Sequence, residues 1–579
     1  MVPALTAEFL AALAAPDEPG LAVGIYRDGQ LVASACAGCA VPEHGVPITE
    51  HTAFDIASVS KHVTSACLLL LADDGLVDLD ADIRGALPEL ALAEPVTLRQ
   101  CLTHTAGLRD YGALCEIAGV PVAGLTEDRF MDLMVGQREL DFPPGSAFSY
   151  SNTGYALAAV LVRRVTGGSL ADFAAERVFG PLGMARTHVR DDVSLLVPHL
   201  ADGYLAAGDG FRRRDVTEEL TGDGAIVTTV ADLARWHSFM TSGEVLGAGI
   251  RDRLLDRCVL TGGTKIGYAL GLESIEIAGH PAWWHSGSWA GYRAAVLYLP
   301  GQRAGVSVLA NRNDFYATNV AIAVARAMLT GQDATAAYAE LCGLPADRLR
   351  AEREAAAIAG LWHDPDQDIF AEFAERDGQL ALAEPGWPAY RLGSDGLWHG
   401  TGTASAGRYA SRDGGLGRFW GPSERLECRF ERVPPMTEPA RRLTPGIFRN
   451  EELRANAEIR IGRSGTAEIA IGLARPRRLA AAADGAWRAV GGADRGGGTA
   501  VADAAVAVAA VAVAAVAVAG VADAAVADTA VAEPLTVRVA DGGRALLVSV
   551  PRARRVRFEL TDAPPPAPAA IRGLSGLAR

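Results

Sequence analysis

The run Ser65-Ala66-Cys67-Leu68-Leu69-Leu70-Leu71-Ala72 constrains the fold of this chain most. A surface helix keeps a polar face, and this run has almost none, so it must be covered on every side. A chain holding such a helix has to build layers around it. At the head of the run stand Ser58 and Lys61, one helical turn apart and on one face. A lysine amine in that place can help take the proton from a hydroxyl and let the oxygen attack a carbonyl. At the start of a buried helix, unpaired N–H groups and the positive dipole end favour the negative charge that develops.

The flanking sequence supplies the layers. LAVGIYRDGQLVASACAG alternates apolar and polar residues around Asp28-Gly29 and predicts a hairpin before the Ser58 helix. Thr97 with Gln100 predicts a capping box. Helical patterns follow over Thr126 to Leu140, over YALAAVLVRRVT up to a Gly pair, and over Thr229 to Ser242. WWHSGSWAGYRAAVLYLPGQRAGVSVLANRN then reads as three strands, and NVAIAVARAMLTG as a helix. Strands at both ends with helices between predict an α+β domain over residues 1–335. In it the early and late strands share one antiparallel sheet with a helical insert.

Two further motifs accompany Ser58-x-x-Lys61. Tyr150-Ser151-Asn152 lies in a loop bounded by Pro143, Pro144 and Gly145, and His285-Ser286-Gly287 opens a strand. A phenol beside cationic groups can act as general base, and an amide can position a substrate. Gly287 lets an extended ligand approach a strand edge, and the backbone N–H groups of Ser58 and Ser288 are candidates for an oxyanion hole. His62 and His104 read as structural.

In this order the motifs resemble the penicillin-recognising serine hydrolases, and LTHTAGL and GDGAIVTTVADLARW add to the likeness. The resemblance implies a β-lactamase-like fold over residues 5 to 333. It implies Ser58 as the acylated nucleophile, Lys61 and Tyr150 as its acid and base, and Asn152, His285, Gly287 and Ser288 as substrate-binding residues. It implies no metal and no cofactor. His285 stands where most relatives have the lysine of Lys-Thr-Gly. Histidine holds a carboxylate less strongly than lysine, which argues against substrates recognised through a free C-terminal carboxylate.

The remaining chain repeats itself. Gly360-Leu361-Trp362, Asp395-Gly396-Leu397-Trp398 and Arg429-Phe430-Glu431 are echoed by Gly446-Ile447-Phe448, Asp484-Gly485-Ala486-Trp487 and Arg557-Phe558-Glu559. Short strands and Gly-rich turns predict two related all-β barrels. The expected boundaries are 336–435, with a helical connector, and 440–562, followed by a disordered Pro/Ala tail over 563–579. The second copy carries an Ala/Val-rich low-complexity insertion at about 491–533 that reads as a partly disordered loop. Its uncharged core, Ala504 to Ala522, raises the question of a membrane span, but acidic flanks and weakly apolar alanine argue against one.

A Ser-x-x-Lys domain with His-x-Gly and two appended barrels resembles the three-domain D-aminopeptidases. That implies a serine hydrolase releasing N-terminal D-residues from small peptides, amides or esters. In that family a loop of the last domain holds the substrate amine with an acid. Asp494, Asp503, Asp523, Asp528 and Glu533 are candidates here, and none is singled out. Two alternatives stay open. One is a promiscuous esterase, β-lactamase or DD-carboxypeptidase-like hydrolase; the other is a penicillin-binding-like protein whose last domains contact partners.

Charge and termini narrow the setting. A net charge of −15 excludes nucleic acid or anionic membrane as the main partner. Cys36 and Cys39 form a Cys-x-x-Cys that no second pair or histidine cluster completes into a metal site. The first twenty residues have no basic n-region and carry Glu8, so a cytoplasmic location is expected, and a homodimer is compatible with the sequence.

Overall fold

A computed structural model describes residues 5–341, apart from 12, 119, 208, 209, 215 and 315, then residues 354–365 and the strands of two all-β segments up to residue 561. The 491–533 insertion with its five acids, the segment 434–445 and the tail 563–579 lie outside the described residues.

Six antiparallel strands form the central sheet. They are β1 (Leu21–Arg27), β2 (Gln30–Ala37), β3 (Glu273–Ile277), β4 (His280–Trp289), β5 (Tyr292–Leu299) and β6 (Ala304–Ala310), in the order β3-β4-β5-β6-β1-β2. The early and late strands meet where β1 pairs with β6, Val23 opposite Val308. Asp28 and Gly29 turn the β1–β2 hairpin with φ of 49° and 74°, the left-handed pair that a two-residue turn of matching twist requires.

Helices cover both faces. Among the described helices, α1 (Lys61–Asp73), α2 (Leu98–Leu102), α3 (Tyr111–Ala118), α4 (Glu127–Val135) and α5 (Thr153–Thr166) lie between the early and late strands in sequence, while α6 (Val230–Ser242) packs on one face of the sheet and α7 (Ala317–Thr330) on the other. Leu21, Val23 and Ile25 belong to one core with Val320 and Val324 of α7, while Ala22 and Tyr26 belong to another with Trp236 of α6. The alternation expected of the hairpin therefore survives only in the edge strand β2; β1 is buried on both faces.

Local signals place the helices. Thr97 and Gln100 exchange the two bonds of a capping box, Thr229 accepts from the Asp232 N–H, and Gly167 ends α5 in the left-handed region. In α1, ten of thirteen residues are buried, as the leucine run demands. Two expectations need correction. Gly136 ends α4 at Val135, short of Leu140. Ser58 lies not in α1 but in a 3-10 turn, Ala57–Ser60, just ahead of it. The chain enters that turn through Ala57, left-handed at φ 46°, whose N–H donates to the Asp55 carboxylate at 2.7 Å.

Beyond the sheet domain, eight strands from Gly360–Asp364 to Arg425–Arg432 pair in sequence order, and the first also pairs with the last. Eight more, from Gly446–Asn450 to Ala553–Thr561, do the same. The repeated residues fall on equivalent strands. Gly360 and Gly446 open the first, Trp398 and Trp487 lie on the fifth, and the two Arg-Phe-Glu triplets lie on the last. The final strand touches the sheet domain, where the Arg554 N–H donates to Asp141 at 3.1 Å and buried Arg109 donates to the Arg554 carbonyl at 3.2 Å.

Candidate active site

Lys61 is fully buried at the head of α1, so its ammonium needs close acceptors. Its Nζ lies 3.0 Å from Ser58 Oγ and 2.7 Å from the Asp223 carbonyl oxygen. The same nitrogen stands 5.1 Å from the centre of the Tyr150 ring, so all three residues expected to carry acid–base chemistry are brought together. Ser58 is half-buried and remains reachable from solvent.

The Tyr150 loop is held by a tripeptide. Asp110 accepts from the Asn152 N–H at 2.7 Å, the Arg109 carbonyl accepts from Thr153 Oγ1 at 2.7 Å, and Tyr111 Oη donates to the Asp223 carboxylate at 3.0 Å. Among the described residues the Asn152 side-chain oxygen is buried with no hydrogen-bond partner, an acceptor that a ligand amide can satisfy.

Strand β4 forms the opposite wall. Its pairing with β3 stops at Trp284, opposite Glu273, so among the described strands His285 to Trp289 pair with β5 alone. That leaves an edge for an extended ligand. Gly287 is required there, since a Cβ would come 2.0 Å from the Ile56 carbonyl oxygen, just upstream of Ser58. Ser288 follows and is exposed. His285 is buried, with Nε2 3.2 Å from Tyr268 Oη and Nδ1 2.7 Å from the Ser286 carbonyl oxygen.

Two acids colour the electrostatics. Burial pushes the Asp223 carboxyl up to about 6, against the lowering effect of Lys61, and burial likewise pushes Asp55 up to about 6. Sequence reasoning missed Asp110 and Asp223, and it set His104 aside although its Nε2 lies 3.0 Å from Tyr268 Oη. All but Tyr268 lie in the HTAGLRDYG and GDGA stretches, where a run of polar residues between apolar segments was the available signal. No group of described residues could hold a metal ion, and no described helix is long and apolar enough to cross a membrane.

A serine–lysine pair at the head of a buried helix, between a Tyr-x-Asn loop and a glycine-bearing strand edge, agrees with the family model described as Beta-lactamase, which matches residues 6–329. The chain belongs to the beta-lactamase family. Within this family it is similar to a D-aminopeptidase of Gluconobacter oxydans, 28% identical over 367 residues, 63% of this chain and 66% of that protein. A D-aminopeptidase of Cereibacter sphaeroides is 28% identical over 451 residues, 76% of this chain and 81% of that one. Among solved structures, the octameric penicillin-binding protein homologue from Pyrococcus abyssi matches 81% of this chain and 97% of its own length. Its TM-score is 0.51 at 20% identity, which speaks for the beta-lactamase-family fold.

Proposed function

We propose that Ser58 is the nucleophile of an acyl-enzyme mechanism in which Lys61 and Tyr150 share the proton transfers. The protein is a serine hydrolase acting on D-amino-acid substrates, releasing the N-terminal D-residue of small peptides, amides or esters. Ser58 Oγ attacks the substrate carbonyl while the Lys61–Tyr150 pair takes its proton. The proton then passes to the leaving amine or alkoxide, and water releases the acyl group by the reverse route. The observation carrying this reading is Lys61 Nζ held at 3.0 Å from Ser58 Oγ and 2.7 Å from the Asp223 carbonyl.

Three features support the substrate class. The similar curated proteins are D-aminopeptidases. Position 285 is a histidine rather than a fixed cation for a C-terminal carboxylate. Asp223 offers a carboxylate beside Lys61, suited to a substrate ammonium. Asn152, Gly287 and Ser288 line the groove in this reading, and the two rings of strands are appended barrel domains, the second docked through Arg109 and Arg554.

The test is a side-by-side assay of D-alanine p-nitroanilide, its L-isomer, p-nitrophenyl acetate and nitrocefin. Turnover of the D-anilide over the L-isomer is expected. Turnover of the ester alone would replace the aminopeptidase with a promiscuous esterase.

A further inference from the structure

A buried line of hydrogen bonds joins the two walls of the site. From the Ser286 carbonyl it runs through His285 Nδ1 at 2.7 Å, then from His285 Nε2 to Tyr268 Oη at 3.2 Å and on to His104 Nε2 at 3.0 Å. It ends at Ser151, between Tyr150 and Asn152, whose amide nitrogen lies 3.2 Å from His104 Nδ1. His104 and Tyr268 are each 2% exposed. The His104 ring also packs on the Tyr150 ring, centroids 4.1 Å apart, and its backbone is left-handed at φ 57°. A left-handed non-glycine residue costs about 1 kcal/mol or more and persists where the surroundings fix it.

The ends of the line order the protons inside it. A carbonyl only accepts, so the 2.7 Å contact to Ser286 requires a proton on His285 Nδ1. A neutral His285 then has a bare Nε2, which accepts from the Tyr268 hydroxyl. With its one proton committed, Tyr268 accepts from His104 Nε2–H, and the bare Nδ1 of His104 accepts the Ser151 N–H. The line is satisfied with both histidines neutral. The Ser151 carbonyl, 3.1 Å from the same Nδ1, favours the opposite direction, but that direction needs a second proton on His285. Both directions keep the Ser286 contact, and burial of the line favours the one that adds no charge to it.

We propose that His104 and Tyr268 are positioning residues that lock His285 as its neutral Nδ1–H tautomer and tie it to the Tyr150–Asn152 loop. Both ring nitrogens of His285 are then committed to the protein, so it offers no cation to a substrate carboxylate. This deepens the proposed function and rests on its placement of His285 at the substrate groove.

The experiment is Tyr268→Phe, which deletes only the hydroxyl, in full-length protein with 15N-labelled histidine at pH 7. His285, assigned by its loss in His285→Gln, should show the Nδ1–H pattern in the parent and a mixed or Nε2–H pattern in the variant. kcat for D-alanine p-nitroanilide should fall roughly tenfold with KM nearly unchanged, while turnover of N-acetyl-D-alanyl-D-alanine rises relative to it. An imidazolium or Nε2–H pattern in the parent, or identical His285 signals in both proteins, overturns the lock. The spectra need no turnover, so they decide even if the D-anilide is not a substrate. Should Tyr268→Phe fail to fold, His104→Gln must shift the same signals.

Discussion

Lys61 donates to the backbone carbonyl of Asp223, 162 positions away, at 2.7 Å, closer than its 3.0 Å contact to Ser58 Oγ. The geometry of the lysine therefore depends on a peptide unit in the turn Thr221-Gly222-Asp223-Gly224. Gly222 has φ 101°, and a Cβ there would come 2.3 Å from the Tyr155 carbonyl oxygen. Gly222→Ala should displace the Asp223 carbonyl, slow phosphonate labelling of Ser58 by at least tenfold, and cost about 1–3 kcal/mol of stability. Unchanged labelling kinetics would show that the carbonyl does not set the lysine.

Buried Arg109 links the Tyr150 loop to the last strand. It lies 3.4 Å from Asp141, itself buried, and donates to the Arg554 carbonyl. Arg109→Met leaves the Asp141 carboxyl without that guanidinium, and breaking such a buried pair costs about 3–5 kcal/mol. Unfolding titrations should register a loss of that order, and hydrogen exchange should rise more in Ala553–Thr561 than in β5. Glu139, 73% exposed in the same cluster, is the control; Glu139→Gln should cost under about 1 kcal/mol.

The difference between legible and illegible parts of the molecule is one of range. Asp28-Gly29, the Thr97–Gln100 box and the Gly167 stop act within four residues, so the sequence displays them directly. Ser58, Lys61, Tyr150 and His285 could be read because three short motifs keep a familiar order. Asp223, Asp110 and His104 reach site residues 40 or more positions away, and Tyr268 joins partners 17 and 164 positions from it. Their polar partners become visible only when α1, α5 and β4 are packed together. The left-handed Ala57, which moves Ser58 ahead of α1, left no sign because alanine is a good helix former.

Beneath the site, burial pushes His62 down to about 3, with its Nε2 3.3 Å from Tyr298 Oη. The unfolded chain takes up a proton near 6.5 that the folded protein refuses. The stability His62 contributes is thus present above 6.5 and lost as pH falls toward 3, by about 1.4 kcal/mol per pH unit. Asp55 and Asp223, raised to about 6, act in the opposite direction between about 4 and 6, so the total curve hides the effect. The difference in unfolding free energy between parent and His62→Gln isolates it and should shrink as pH drops from 7 to 5. A constant difference would show that His62 titrates normally.

Asp223 gives a second pH signature, in binding. With its carboxyl pushed up to about 6 by burial, it is an anion above that pH and neutral below it. A substrate ammonium held by Asp223 loses its counter-charge as pH falls through 6, so KM for D-alanine p-nitroanilide should rise there. An ester without an amine should show no such rise. Asp223→Asn should bring the high KM to pH 8 and flatten its pH profile, with the ester little affected, because the Lys61 contact is made by the backbone carbonyl, which the substitution keeps. Equal losses on both substrates would move Asp223 from amine recognition to support of Lys61 and Tyr111.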